Sequence, residues 1–316
     1  MLFTRNEQIS LTSSTANLQA GPLFTMSSAW LCQIVLAILG FAIPGSSAAA
    51  DEKGAPTPEL PGLLTTFRSE FVTVTPGRDQ FPAEFSFGPK NRAEHPQIRI
   101  KLTSDFEVSR FETYQALYEA VTGANPSRWK GSRNSVDSVT IEGANEFCQK
   151  MTILMRDAKL IKADQVVRLP TEVEWEYCCR AGTETDYSFG DQPRKDSDDE
   201  KTASILGEYG WYLTNSPGND PAVGTLKPNP WGLYDMHGYL WEICSDHWSE
   251  SLSEPAASPH APFSGADDER RCSMRGGSWK DGFVMLKSSS RRPITSLTTN
   301  DAVGFRCVIA PEASTK

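Results

Sequence analysis

Residues 228–246 read PNPWGLYDMHGYLWEICSD, and the fold of the chain turns on them. These positions hold two Trp, two Tyr, three acids, one His and two Gly. Neither a helical nor a strand period runs through the stretch, and Gly232 and Gly238 divide it into short turns. Asp235 and Glu242 stand on either side of the bend at Gly238. Carboxylates and backbone carbonyls converging across such a bend suit a hard divalent cation such as calcium, which takes about six to eight oxygen ligands. The same residues also read as an aromatic core loop with two hydrated acids. Residue types alone favour that plainer reading.

Working outward, the chain has 316 residues and a formal net charge of -9. A nucleic-acid binder carries a basic patch, so this balance argues against that class. It fits a secreted or cation-binding protein. Residues 30–43, WLCQIVLAILGFAI, form an apolar run short for a bilayer. Pro44, Gly45 and the small residues 46–50 follow, and an A-x-A pattern at 48–50 leaves Asp51 as the mature start. Residues 1–50 thus read as a signal peptide, with Met26 a second candidate start. Cleavage would leave no stable membrane span and a secreted or periplasmic protein. Arg5 is the sole basic residue before the run, so a retained N-terminal anchor is the competing reading.

Export decides how the cysteines are read. Cys148, Cys178, Cys179, Cys244, Cys272 and Cys307 remain beyond the leader, an even set that suggests disulfides in an oxidising compartment. The alternative is a set of buried thiols packing as small hydrophobes. No C-x-x-C pair is present, which argues against a zinc ribbon.

Residues 51–66 read as a Pro-rich tether and 67–312 as one domain. Ile98, Ile100 and Leu102 alternate with Arg99 and Lys101, a half-buried strand. Helices are expected over 113–122 and 141–158, the second with Cys148 on its apolar face. A third opens on a capping box, Thr171 with Glu174, after Pro170. Capping explains two of the acids Glu172, Glu174 and Glu176, so none is taken as catalytic. Residues 190–201 read as a solvated charged loop and 249–271 as a long polar insertion. His237 and His247 read as surface or supporting histidines.

Four ordered motifs, RLPTEVEWEYCCRAG (168–182), 228–246, RGGSW (275–279) and GFRC (304–307), resemble the formylglycine-generating enzyme family, also called the sulfatase-modifying factor domain. The segment 106–126 resembles that family's first helix region. The resemblance implies an α+β domain related to the C-type lectin fold, rich in loops and low in regular structure. It implies a structural calcium site formed by the side chains of Asp235 and Glu242 and the carbonyls of Gly238 and Leu240. Tyr239, where the family usually has Asn, and Ile243, usually Trp, depart from the pattern. The resemblance also implies a Cys148–Cys307 disulfide closing a loop of about 160 residues, worth about 4–5 kcal/mol in chain entropy. Cys179 lacks the family's partner and would pair with Cys244 or Cys272 or stay free.

The family oxidises a substrate cysteine to an aldehyde with copper held by two cysteines after the GGS[YW] motif. Thiolates suit that task as soft Cu(I) ligands. Here the matching positions are Asp281 and Leu286, and no cysteine stands between Cys272 and Cys307. A carboxylate and a hydrocarbon cannot reproduce a two-thiolate copper site. The expectation is a calcium-stabilised binding module, with Ser278 and Trp279 lining what remains of the pocket and a protein, peptide or glycan as ligand. The alternatives are a formylglycine-type oxidase, or another metal-dependent oxidase, using other residues.

Overall fold

A computed structural model describes residues 59–90, 97–216, 220–252 and 271–312. The expected signal segment, His95, His260 and nearly all of the 249–271 insertion lie outside the described residues. The elements are, in order, α1 (Leu60–Ser69), β1 (Phe71–Val74), β2 (Glu84–Phe87), β3 (Ile98–Lys101), β4 (Phe106–Ser109), α2 (Gln115–Thr122) and α3 (Ile141–Asp157). Then come β5 (Gln165–Arg168), α4 (Glu172–Arg180), β6 (Trp241–His247), β7 (Arg271–Arg275), β8 (Arg291–Thr295), β9 (Val303–Gly304) and β10 (Val308–Pro311).

Two four-stranded sheets and a β2–β3 ribbon carry the domain. The first sheet runs β1-β4-β10-β5, antiparallel throughout, with Val308 facing both Val108 and Arg168. The second runs β8-β7-β6-β9, and its β6–β9 pair is parallel. Helix α3 lies against β5 and α2, and α4 lies against β7, β6 and β2. This is the α+β architecture with little regular structure between residues 181 and 240.

Local chemistry sets the helix ends. The Thr171 hydroxyl accepts from the Glu174 N–H at 3.1 Å, and the Glu174 carboxylate accepts from the Thr171 N–H at 2.8 Å. That reciprocal pair satisfies two donors the helix leaves open. Helix α3 starts on Thr140, whose hydroxyl accepts from the Gly143 N–H. The row Glu172, Glu174 and Glu176 is structural. Glu174 pairs with Arg168, Glu172 with Arg291 and the Ser273 hydroxyl, and Glu176 with Arg180, Arg275 and the Gly88 N–H.

Two expectations are corrected. Helix α1 begins at Leu60 and buries Leu63, Leu64 and Phe67, so residues 60–66 are folded core and not tether. Its Pro61 sits in the first turn, where a missing N–H costs nothing. Residues 241–247 form strand β6, buried on both faces, which removes the alternation a half-exposed strand would show. His237 is buried, which selects the supporting role over the surface one.

Candidate functional site

The bend at Gly238 is set by crowding. Its φ of +128° is hard for an L side chain, and a Cβ there would stand 2.3 Å from the Trp211 carbonyl oxygen. Asp235 and Tyr239 on either side also take left-handed backbones, φ 59° and 74°. Asp tolerates this conformation and an aromatic does not, so Tyr239 is held by its surroundings. Its hydroxyl donates to the Pro221 carbonyl at 2.6 Å and its N–H to the Trp211 carbonyl at 2.9 Å.

Around this bend three buried carboxylates, Asp235, Glu242 and Glu112, share one guanidinium, that of Arg306. Arg306 Nε and Nη2 grip the two oxygens of Glu242 at 2.6 and 2.7 Å. Its remaining donors go to the carbonyls of Ser109, Arg110 and Tyr234, so all five are used. The Trp175 Nε1–H also donates to Glu242 Oε2 at 2.8 Å. Asp235 Oδ2 accepts from the Gly224 N–H at 2.7 Å. Asp235 Oδ1 and Glu112 Oε2 are buried without a hydrogen-bond partner. Burial, with the neighbouring Glu242, raises the Asp235 carboxyl to about 6 despite the Gly224 bond and Arg306. Burial and the charges of Glu242 and Asp235 push Glu112 well above the ordinary range.

A cation would relieve this excess of negative charge, and the donor set fits one in part. Glu242 Oε1 accepts a single bond and keeps a free lone pair, and Asp235 Oδ1 is wholly free. Among the described residues no three His, Cys, Asp or Glu side chains gather as a metal-holding group. An ion at this bend would therefore depend on the Gly238 and Leu240 carbonyls. Glu112 escapes a reading of the sequence because its approach to the bend is tertiary: its Oε1 accepts from the Leu240 N–H at 3.2 Å.

Asp281 lies beyond the RGGSW motif. Its Oδ2 accepts from Ser278 Oγ at 2.6 Å and from Trp241 Nε1 at 2.7 Å, and Arg292 stands 3.2 Å from Oδ1. Leu286 is fully buried and packs against Gly277 and Gly238. Trp279 donates its N–H to Tyr239 and its indole N–H to the Asp301 carbonyl, so this segment leans directly on the bend. His237 is a strut between the two regions. Its Nδ1 donates to the Leu286 carbonyl at 2.9 Å, and Nε2 accepts from the Ser188 N–H at 3.0 Å. Burial lowers its pKa to about 4, so it is neutral.

The Cys148 and Cys307 sulfurs meet in the core at 4.0 Å, as two thiols without a bond between them. A disulfide needs about 2.05 Å. Cys178, Cys179, Cys244 and Cys272 are also free and buried. Cys179 touches the Met236 carbonyl and the His237 ring, and burial raises its thiol to about 12. All six of the expected disulfide candidates thus stand as buried free thiols that pack as small hydrophobes.

The description "sulfatase-modifying factor enzyme 1-like domain" matches residues 64–311. The chain belongs to this family. Formylglycine-generating enzymes from Mycobacterium tuberculosis and Mus musculus are 31% and 33% identical to it, over 46% and 44% of the chain. Those matches cover 51% and 38% of the relatives, so the chain spans about half their length or less. Treponema denticola variable protein 1 superposes with a TM-score of 0.61 at 24% identity, over 76% of this chain and 95% of that one. PvdO from Pseudomonas aeruginosa superposes with a TM-score of 0.58 at 22% identity, over 77% and 94%. These two likenesses establish the sulfatase-modifying factor fold.

Proposed function

We propose that this sulfatase-modifying factor domain is an exported binding module, braced by calcium, that does not perform copper-dependent cysteine oxidation. The observation that carries this reading is the state of Asp281 and Leu286. Asp281 offers hard oxygens already engaged by Ser278, Trp241 and Arg292. Leu286 offers only hydrocarbon, with no exposed surface. Neither supplies the soft thiolate that selects Cu(I). Ser278 is buried with its hydroxyl spent on Asp281, so of the two expected pocket residues only the half-buried Trp279 reaches solvent for recognition.

The test incubates the protein with a CxPxR-type peptide and Cu(I), using the Mycobacterium tuberculosis enzyme as positive control, and follows peptide mass. No aldehyde is expected. A mass loss matching cysteine-to-aldehyde conversion overturns the reading.

For calcium, the proposed ligands are Asp235, Glu242 and the carbonyls of Gly238 and Leu240, and the ion's part is to offset buried negative charge. Calcium should raise the melting temperature over that in chelator, and Asp235→Ala should remove the difference. Equal melts of the unaltered protein in both conditions reject the site.

The proposed export also bears on Cys148 and Cys307. Burial holds the Cys148 thiol well above the ordinary range, so bond formation should require unfolding or oxidative folding. Protein refolded under an oxidising thiol buffer should yield a linked Cys148–Cys307 peptide on non-reducing mapping. Recovery of both as free thiols counts against the bridge.

A further inference from the structure

Three cations near the RGGSW motif each lie over an indole. Arg128 stands 5.0 Å from the Trp129 ring centre, Lys280 4.9 Å from Trp279 and Arg292 5.1 Å from Trp241. Two aspartates join them from below. Asp301 binds Arg128 at 2.7 Å and also binds Lys280, and Asp281 faces Arg292 at 3.2 Å. The pairs are neighbours: Lys280 and Asp281 are adjacent in sequence, and the Trp241 N–H donates to the Ala302 carbonyl beside Asp301.

The layering has a sign. The side chains of Arg128, Lys280 and Arg292 are 61%, 41% and 46% exposed, whereas those of Asp301 and Asp281 are 9% and 11% exposed. Positive charge therefore faces solvent and the balancing negative charge lies beneath it. Indole and carboxylate together hold each long side chain in place, so little rotamer freedom is left to lose on binding. Trp129 adds a half-exposed apolar ring at one end. On a chain of net charge -9, this face turns its cations outward and keeps the carboxylates that pair with them sheltered.

We propose that this ladder is a docking surface for an anionic polysaccharide, with sulfate or carboxylate groups on the three cations and a sugar ring against Trp129. The proposal rests on the binding-module reading and names its ligand class. An extended acidic peptide fits less well, because its backbone would find few partners here. The Trp241 and Trp279 indole N–H groups are spent on Asp281 and Asp301, and the neighbouring edge strand β8 loses a ladder donor at Pro293.

The test measures binding of the full chain to a heparin-type sulfated polysaccharide and to polygalacturonate, with uncharged dextran and poly-glutamate alongside. Both charged polysaccharides should bind and dextran should not. Affinity should fall with added salt, as for any polyanion held through cations. The combined variant Arg128→Ala, Lys280→Ala, Arg292→Ala should bind at least about tenfold more weakly and with a shallower salt dependence. Trp129→Ala should bind about two- to fivefold more weakly with an unchanged melt, since its ring is half exposed. Undiminished binding by the combined variant overturns the proposal, and so does poly-glutamate binding as tightly as the polysaccharides. Aldehyde formation in the peptide assay overturns the binding-module reading instead, so the two failures are separable.

Discussion

Arg306→Ala is expected to destabilise the domain by about 3–5 kcal/mol, the usual cost of leaving a buried charge without its partner. For a domain of this size that is a fall of roughly 6–20 °C in melting temperature. The substitution removes the one guanidinium among Glu112, Asp235 and Glu242, all of them buried. It also frees the carbonyls of Ser109, Arg110 and Tyr234, which join the end of β4 to the 228–246 stretch. Arg306→Lys should fall between, because an ammonium restores charge but has three donors and no planar fork. If the alanine variant does not fold, the lysine variant still reports the effect. A loss below about 1 kcal/mol for Arg306→Ala, the range of an exposed pair, would sink this account.

Asp246→Asn should stabilise the protein, and only where the carboxylate is ionised. Asp246 is buried on β6, and its Oδ2 accepts from the Glu172 N–H at 2.5 Å at the start of α4. Burial, then the charges of Glu172 and Glu174, raise its pKa from 3.8 to about 7. The sign follows from the proton count. Between about pH 4 and 7 the folded protein holds a proton there that the unfolded chain has lost, so stability falls as pH rises through this window. Above it the full cost of the buried carboxylate is present. Asparagine keeps an acceptor for the Glu172 N–H and carries no charge. Denaturant unfolding at pH 8 should show a gain on the order of 1–3 kcal/mol, shrinking towards zero near pH 4. The same difference between variant and parent at both ends would refute the assignment.

How much of this was legible in the sequence depends on the distance over which each residue acts. Thr171 and Glu174 act within one turn, and their capping box was readable directly. Helix α3, 17 residues long, followed from the apolar face carrying Ala144, Phe147, Cys148, Met151 and Met155. Helix α1 was masked by its Pro-rich setting, although Pro61 in the first turn and Leu63, Leu64 and Phe67 at helical spacing carried the signal. The ordered motifs gave the fold. They could not show that Glu112 meets the bend at Leu240, or that His237 is enclosed by residues 188 and 286. Such burial is decided by segments far apart in the chain. The ladder was equally hidden, since Arg128 and Asp301 meet only in three dimensions.

The place of β10 between β4 and β5 governs when the domain can assemble during synthesis. β4 leaves the ribosome nearly a domain's length ahead of β10, an interval on the order of 10–40 s at ordinary elongation rates. Through that interval β4 and β5 lack the strand that joins them, and the three buried acids lack Arg306. A nascent chain stopped short of residue 306 holds neither, so neither the first sheet nor the buried charge cluster can close until the last few residues of the domain are made.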